Sequence, residues 1–188
     1  LSYTAVAEAL RTRKGLLGTV EFFPEEGKYH YDGHRHCKVC LKPSETIAAG
    51  GVCPVCGGRI TVGVLHRVEE LADRPEGTRH DASVRFESLI PLPEVVAASM
   101  GCRAASGKAR AQYESLLERL GSELHILLEA PVEEIEQAAG PLVAEGIRRL
   151  RSGNVEVNPG YDGEYGRVRI LSQDDIDRLT GQLRFFED

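Results

Sequence analysis

Two Cys-x-x-Cys pairs, Cys37–Cys40 and Cys53–Cys56, stand twelve residues apart and constrain the fold more than any other feature of the chain. Each pair lets a tight turn present two sulfurs to one ion, and two such turns complete the tetrahedron that Zn²⁺ accepts from thiolates. The segment between them, "LKPSETIAAGGV", is long enough to bring the chain back to the ion. Gly57 and Gly58 follow the last sulfur, where the backbone must bend sharply and aim N–H groups at the thiolates. Four thiolates close the coordination sphere, so the expected zinc is structural and not catalytic. Such an ion typically contributes about 10–16 kcal/mol, enough to fold a module with little apolar core. Iron–sulfur ligation is the other reading of four thiolates. His36, beside Cys37, is placed to displace a cysteine as ligand.

Outside a secretory context, paired cysteines of this kind are metal ligands and point to the cytoplasm. No apolar run approaches the roughly 18 residues of a membrane span, and no signal-peptide pattern is present. The chain opens on Leu1 in helix-like sequence, which predicts a natural start further upstream. With 188 residues, 41% hydrophobic and 28% charged, it can bury a real core.

The pattern along the chain predicts an α+β fold: a small zinc-ribbon-like module, then a mainly helical domain with a terminal β-hairpin. In "LSYTAVAEALRTRKG" Ser2 is placed to cap a helix, Ala5, Val6 and Leu10 share a face, and Gly15 can end it. "LLGTVEFF" reads as a buried strand stopped by Pro24. Helices follow in "VLHRVEELADRPEG", "IPLPEVVAASMG", "KARAQYESLLERLG", "PVEEIEQAAG" and "PLVAEGIRRLRSG", while residues 76–88 read as a polar loop. Val155 and Val157, then Val168 and Ile170, alternate with polar residues around a glycine-rich turn, as a hairpin does. Ser172 and Asp175 then cap a last helix whose buried face carries Ile176, Leu179 and Leu183. The expected boundaries are 1–36 for a leading remnant and connecting loop, 37–63 for the zinc module and 64–188 for the helical domain.

The net charge of -6 argues against a whole-surface affinity for nucleic acid but leaves room for a local basic patch. From Lys28 to Lys42 the cations Lys28, Arg35, Lys38 and Lys42 face a single acid, Asp32, and rings interleave with them. Phosphates take cations while bases stack on rings, so Tyr29, His30, Tyr31, Asp32, His34 and Arg35 form a candidate DNA- or base-binding set. A solvated loop with its tyrosines packed inward is the plainer reading of the same residues. Asp32 and His34, two apart, point the same way in an extended segment and suit either a metal or a base edge. "PGYDGEYG" adds Tyr161, Asp162, Glu164 and Tyr165 in a second candidate loop. Cys102 reads as an ordinary buried thiol. No ATP phosphate loop, His-Glu-x-x-His or nucleophile elbow is present.

Taken together, "GTVEFFPEEGKYHYDGHRHC", "CPVCGGRITVGVLHRVEELADRP", "LIPLPEVVAASMG" and "PGYDGEYG" resemble, in order and spacing, the region that follows the nuclease domain in the endonuclease Q family. The resemblance implies DNA as partner. Members of that family nick DNA on the 5′ side of deaminated bases such as uracil and hypoxanthine. It also implies that residues 1–36 carry the end of a PHP (polymerase-and-histidinol-phosphatase) domain. Catalytic divalent metals are expected only in that upstream domain, and no catalytic residue in this chain. Cys37, Cys40, Cys53 and Cys56 match the family's zinc ligands. The alternative is a non-catalytic zinc-ribbon interaction module associated with a DNA helicase.

Overall fold

The computed structural model describes residues 2–78 and 83–181. Ser2 Oγ accepts the Ala5 N–H at 3.2 Å and opens α1 (Tyr3–Thr12). The helix ends on Arg13 in a left-handed conformation, two residues before Gly15. Its expected apolar face forms but is not covered: Val6 is 46% and Leu10 63% exposed. β1 (Gly18–Glu21) is likewise exposed, not buried as the apolar run predicts. It pairs in parallel with residues 85–88, Gly18 against Arg85 through Glu21 against Ser88. That partner lies in the stretch read as loop, because "RFES" is too short and polar to signal a strand.

β2 (Asp32–His34) and β3 (Val39–Leu41) form an antiparallel hairpin. Its turn is a 3₁₀ segment, Arg35–Cys37, closed by Lys38 at φ 54°. α2 (Pro43–Ala48) occupies the linker between the cysteine pairs. The chain then returns to the hairpin, where Gly33 and Thr61 exchange both backbone hydrogen bonds at 2.9 Å. α3 (Val64–Leu71) leads away, and β4 (Arg85–Ser88) is the strand that pairs with β1.

The core lies in the helical part. α4 (Leu92–Ser99), α5 (Gly107–Leu120), α6 (Glu123–Leu128), α7 (Val132–Ala139) and α8 (Pro141–Ser152) enclose Leu92, Val95, Val96, Leu116, Ile126, Ile135 and Ile147, each at most 1% exposed. α6 is short and was not signalled by the sequence pattern. α8 approaches α4 closely at Gly146, where a Cβ would stand 2.6 Å from Ser99 Oγ. Arginines close the helix ends. Arg151 donates to the carbonyls of Ile126, Leu127 and Ala130 at 2.7–2.9 Å, and Arg119 to those of Gln137 and Ala138. Such donors satisfy carbonyls that a helix leaves unpaired.

β5 (Glu156–Asn158) and β6 (Arg167–Arg169) form the expected hairpin. α9 (Gln173–Thr180) starts on Ser172 with the capping box to Asp175 in place. Ile176 and Leu179 are half-buried, and Leu183 lies outside the described residues. Among the described residues, no helix is long and apolar enough to cross a membrane.

The loop joining β5 to β6 does not project into solvent. Gly160 N–H donates to Glu25 O at 2.8 Å, Gly163 N–H to Lys28 O at 2.8 Å and Gly166 N–H to Glu26 O at 3.1 Å; Tyr31 N–H returns a bond to Gly160 O at 2.9 Å. A Cβ at Gly160 or Gly166 would strike the backbone of Gly27 or Glu25, so only glycine admits this approach.

Candidate metal centre and its surroundings

Cys53 and Cys56 sit on a tight knuckle. Cys53 N–H donates to Gly58 O at 2.7 Å, Gly57 N–H to Cys53 O at 2.8 Å, and Gly58 N–H reaches Cys56 Sγ at 3.4 Å. Gly57 takes φ 71°, the bend expected after the last sulfur. Cys37 ends the 3₁₀ turn of the β2–β3 hairpin.

The fourth member of the group is His34. One donor atom each from His34, Cys37, Cys53 and Cys56 lies within 4.8 Å of all the others, and His34 Nδ1 is 3.4 Å from Cys56 Sγ. A tetrahedral zinc with bonds of about 2.0–2.3 Å holds its N and S ligands about 3.5–3.8 Å apart, so these residues fit that ion. The structure departs from the four-cysteine expectation at one position, Cys40, and the hairpin register supplies the reason. Gly33 stands opposite Cys40, and His34 opposite Val39. Opposed residues share a face and successive ones alternate, which puts Cys40 and His34 on opposite faces. On the Gly33 face lies the ring of Tyr161, with which a Cβ on Gly33 would collide.

Protonation sets Cys53 apart from Cys37 and Cys40. Burial disfavours the Cys53 thiolate, but the N–H groups of Cys56 and Val55 and the side chains of His34 and Cys56 together outweigh it and hold the thiol down to about 6. The Cys40 thiol is pushed up to about 11 by burial and by the Glu45 and Asp32 carboxylates. Cys37 is also raised to about 11, chiefly by its hydrogen bond to Cys56, as in a sulfur cluster that shares protons until a cation displaces them. With three thiolates and one imidazole, a bound dication leaves the site at about -1 formal charge, against about -2 for four thiolates.

The six residues of the candidate DNA-binding set divide sharply. Asp32 is fully buried: Oδ1 accepts Gly63 N–H at 2.7 Å, and Oδ2 lies 2.6 Å from His66 Nδ1. It supports the fold and cannot read a base edge. His34 faces the sulfurs. His30 and Tyr31 are half-buried and stack on each other at 5.4 Å between ring centroids. Tyr29 and Arg35 remain at the surface. The acidic loop is held against this segment by Asp162, whose Oδ2 accepts Arg35 N–H at 2.7 Å. That bond, with one to Thr61, keeps the Asp162 carboxyl below the usual carboxylate range. Cys102 is half-buried against the helical core and accepts from Ser106 Oγ at 3.3 Å.

Comparison with known proteins adds the context. The family model of the MJ0043 C-terminal domain matches residues 91–154, the stretch of α4 to α8. The chain is 30% identical over 174 residues to the uncharacterized protein MJ0043 of Methanocaldococcus jannaschii, covering 92% of this chain and 22% of that protein. It is 26% identical over 170 residues to YqxK of Bacillus subtilis, covering 89% of this chain and 40% of that protein. Among solved structures it is similar to the lesion-specific endonuclease PfuEndoQ from Pyrococcus furiosus, with TM-score 0.78 and 26% identity over 95% of this chain. A second structure, endonuclease Q in complex with a 27-mer duplex substrate carrying an abasic lesion, matches with TM-score 0.76 and 25% identity over 98% of this chain. The chain spans 46% of each of these structures and less than half of each curated relative. The resemblance to the endonuclease Q family thus extends from motifs to three-dimensional structure.

Proposed function

We infer that this chain is the zinc-holding, DNA-engaging part of a repair endonuclease of the endonuclease Q type. The observation that carries the reading is the match of nearly the whole chain to endonuclease Q, including the structure of a DNA complex. In this reading His34, Cys37, Cys53 and Cys56 hold a structural zinc ion. The ion supplies rigidity, and the sulfurs and imidazole occupy its coordination positions. The chain's own role is to bind and orient a duplex bearing a deaminated base, uracil or hypoxanthine, which the parent polypeptide nicks on the 5′ side. Hydrolysis belongs to a PHP domain of the same polypeptide.

The uncovered face around residues 3–22 supports the packing of a nuclease domain against this end of the chain. Tyr3 is 89%, Leu17 91% and Phe22 70% exposed. Parallel strands such as β1 and β4 are normally covered on both faces. Apolar surface of this kind suits an intramolecular seat for the nuclease domain.

A salt-titrated binding experiment tests the reading. The protein is titrated onto duplexes containing uracil, hypoxanthine or an abasic site, with an undamaged duplex as control. The expected result is preference for the lesion and an affinity that falls steeply with salt. Equal affinity for damaged and undamaged DNA, or no DNA binding at any salt, overturns it.

A further inference from the structure

The clasp between residues 25–31 and 160–166 brings together groups that sequence separation hides. Lys28 Nζ lies 5.7 Å from the ring centroid of Tyr29 and 5.7 Å from that of Tyr165. Tyr165 is 74% exposed and Tyr29 46%. A Cβ on Gly163 would lie 3.5 Å from Arg35 Nη1 and 3.6 Å from Tyr29 Oη, so a second cation stands near the Tyr29 hydroxyl. Beside them Gly27, Lys28, Tyr29, His30 and Val64 line a depression of about 320 Å³. A tyrosine with three quarters of its surface in water gains little from the fold. Here it is fixed by a backbone clasp that only glycines permit, next to an ammonium already positioned between two rings.

We propose that Lys28, Tyr29 and Tyr165 form a stacking site for one unpaired nucleotide of a DNA strand, the base lying on a tyrosine face and its phosphate on Lys28. This rests on the DNA-binding reading above and names residues for it; Lys28 comes from the basic segment and Tyr165 from the second candidate loop, and the clasp joins the two. Rings offer faces to any base, so the site recognises an extruded or single-stranded nucleotide and not a particular sequence. Arg35 adds positive charge at the rim. Glu164 is the exposed acid of the loop; Glu25 and Glu26 are half-buried beneath it.

The test uses a single-stranded oligonucleotide carrying 2-aminopurine, whose emission falls when the base stacks on an aromatic ring. Wild-type protein quenches the probe and binds in a salt-dependent way. Tyr165→Leu, which keeps bulk and loses the aromatic face, weakens binding about tenfold and relieves the quenching. Tyr165→Phe behaves as wild type. Lys28→Ala lowers the slope of log affinity against log salt by about 0.7. Unchanged melting temperature and metal content show that each variant is folded. Wild-type-like binding and quenching by Tyr165→Leu overturns this site alone and leaves DNA binding standing. Failure of the wild type to bind either the strand or a lesion duplex at low salt overturns both.

Discussion

Asp32 Oδ2 lies 2.6 Å from His66 Nδ1, joining the hairpin that carries two of the proposed zinc ligands to the first turn of α3. The carboxylate is fully buried, and its other oxygen holds the Gly63 N–H. A buried carboxylate left short of one partner costs about 3 kcal/mol. His66→Ala is therefore expected to lower the unfolding free energy by about that amount, read by chemical denaturation of the zinc-loaded protein. A change below about 0.5 kcal/mol, the range of ordinary surface substitutions, shows that the pair does not bear on stability.

Metal content per chain distinguishes the ligand sets. His34→Ala and Cys53→Ser are expected to lose zinc, and Cys40→Ser to retain about one ion per chain. The reverse pattern, zinc lost with Cys40→Ser and kept with His34→Ala, would restore four thiolates.

Acid sensitivity is expected from Asp175. Both its oxygens receive Arg149 donors at 2.7 Å, and Ser172 adds two more donors, which hold its carboxyl well below the usual carboxylate range. A group with a depressed folded pKa stabilises fully above its unfolded value and loses that contribution as pH falls. Stability is thus complete at neutral pH and erodes below about pH 4. Asp175→Asn is expected to cost about 2 kcal/mol at pH 7 and progressively less toward pH 2. The measurement is denaturant unfolding at several pH values; a pH-independent cost contradicts the assignment.

Gly146→Ala should be destabilising by about 1–3 kcal/mol, because the new methyl meets Ser99 Oγ between two packed helices. Removing that oxygen in the Gly146→Ala, Ser99→Ala double variant is expected to recover part of the loss, seen as a partial return of the melting temperature. No recovery would place the strain elsewhere along α4 and α8.

The helical domain was largely legible because its signals are local. The serine caps at Ser2 and Ser172 and the helices α4, α5, α7 and α8 appear where the pattern puts them. β4 was not, since a parallel pairing across more than sixty residues leaves no trace in "RFES". The ligand set was legible only up to register. His34-x-x-Cys37 has the same spacing as Cys37-x-x-Cys40, so the sequence holds two overlapping knuckles, and only the alternation of the β2–β3 hairpin selects between them. The place of Asp32 is hidden for a related reason. A carboxylate beside histidines signals chemistry in a sequence, whereas its burial depends on Gly63 and His66, about thirty residues on.

The joint between the glycine loop and residues 25–31 is written almost entirely in main-chain atoms. Exposed side chains such as Lys28 and Tyr29 can therefore be exchanged without altering the path of either segment. The molecule separates what its mouth is made of from how that mouth is held open, so chemistry at the rim can be retuned one residue at a time on an unchanged frame.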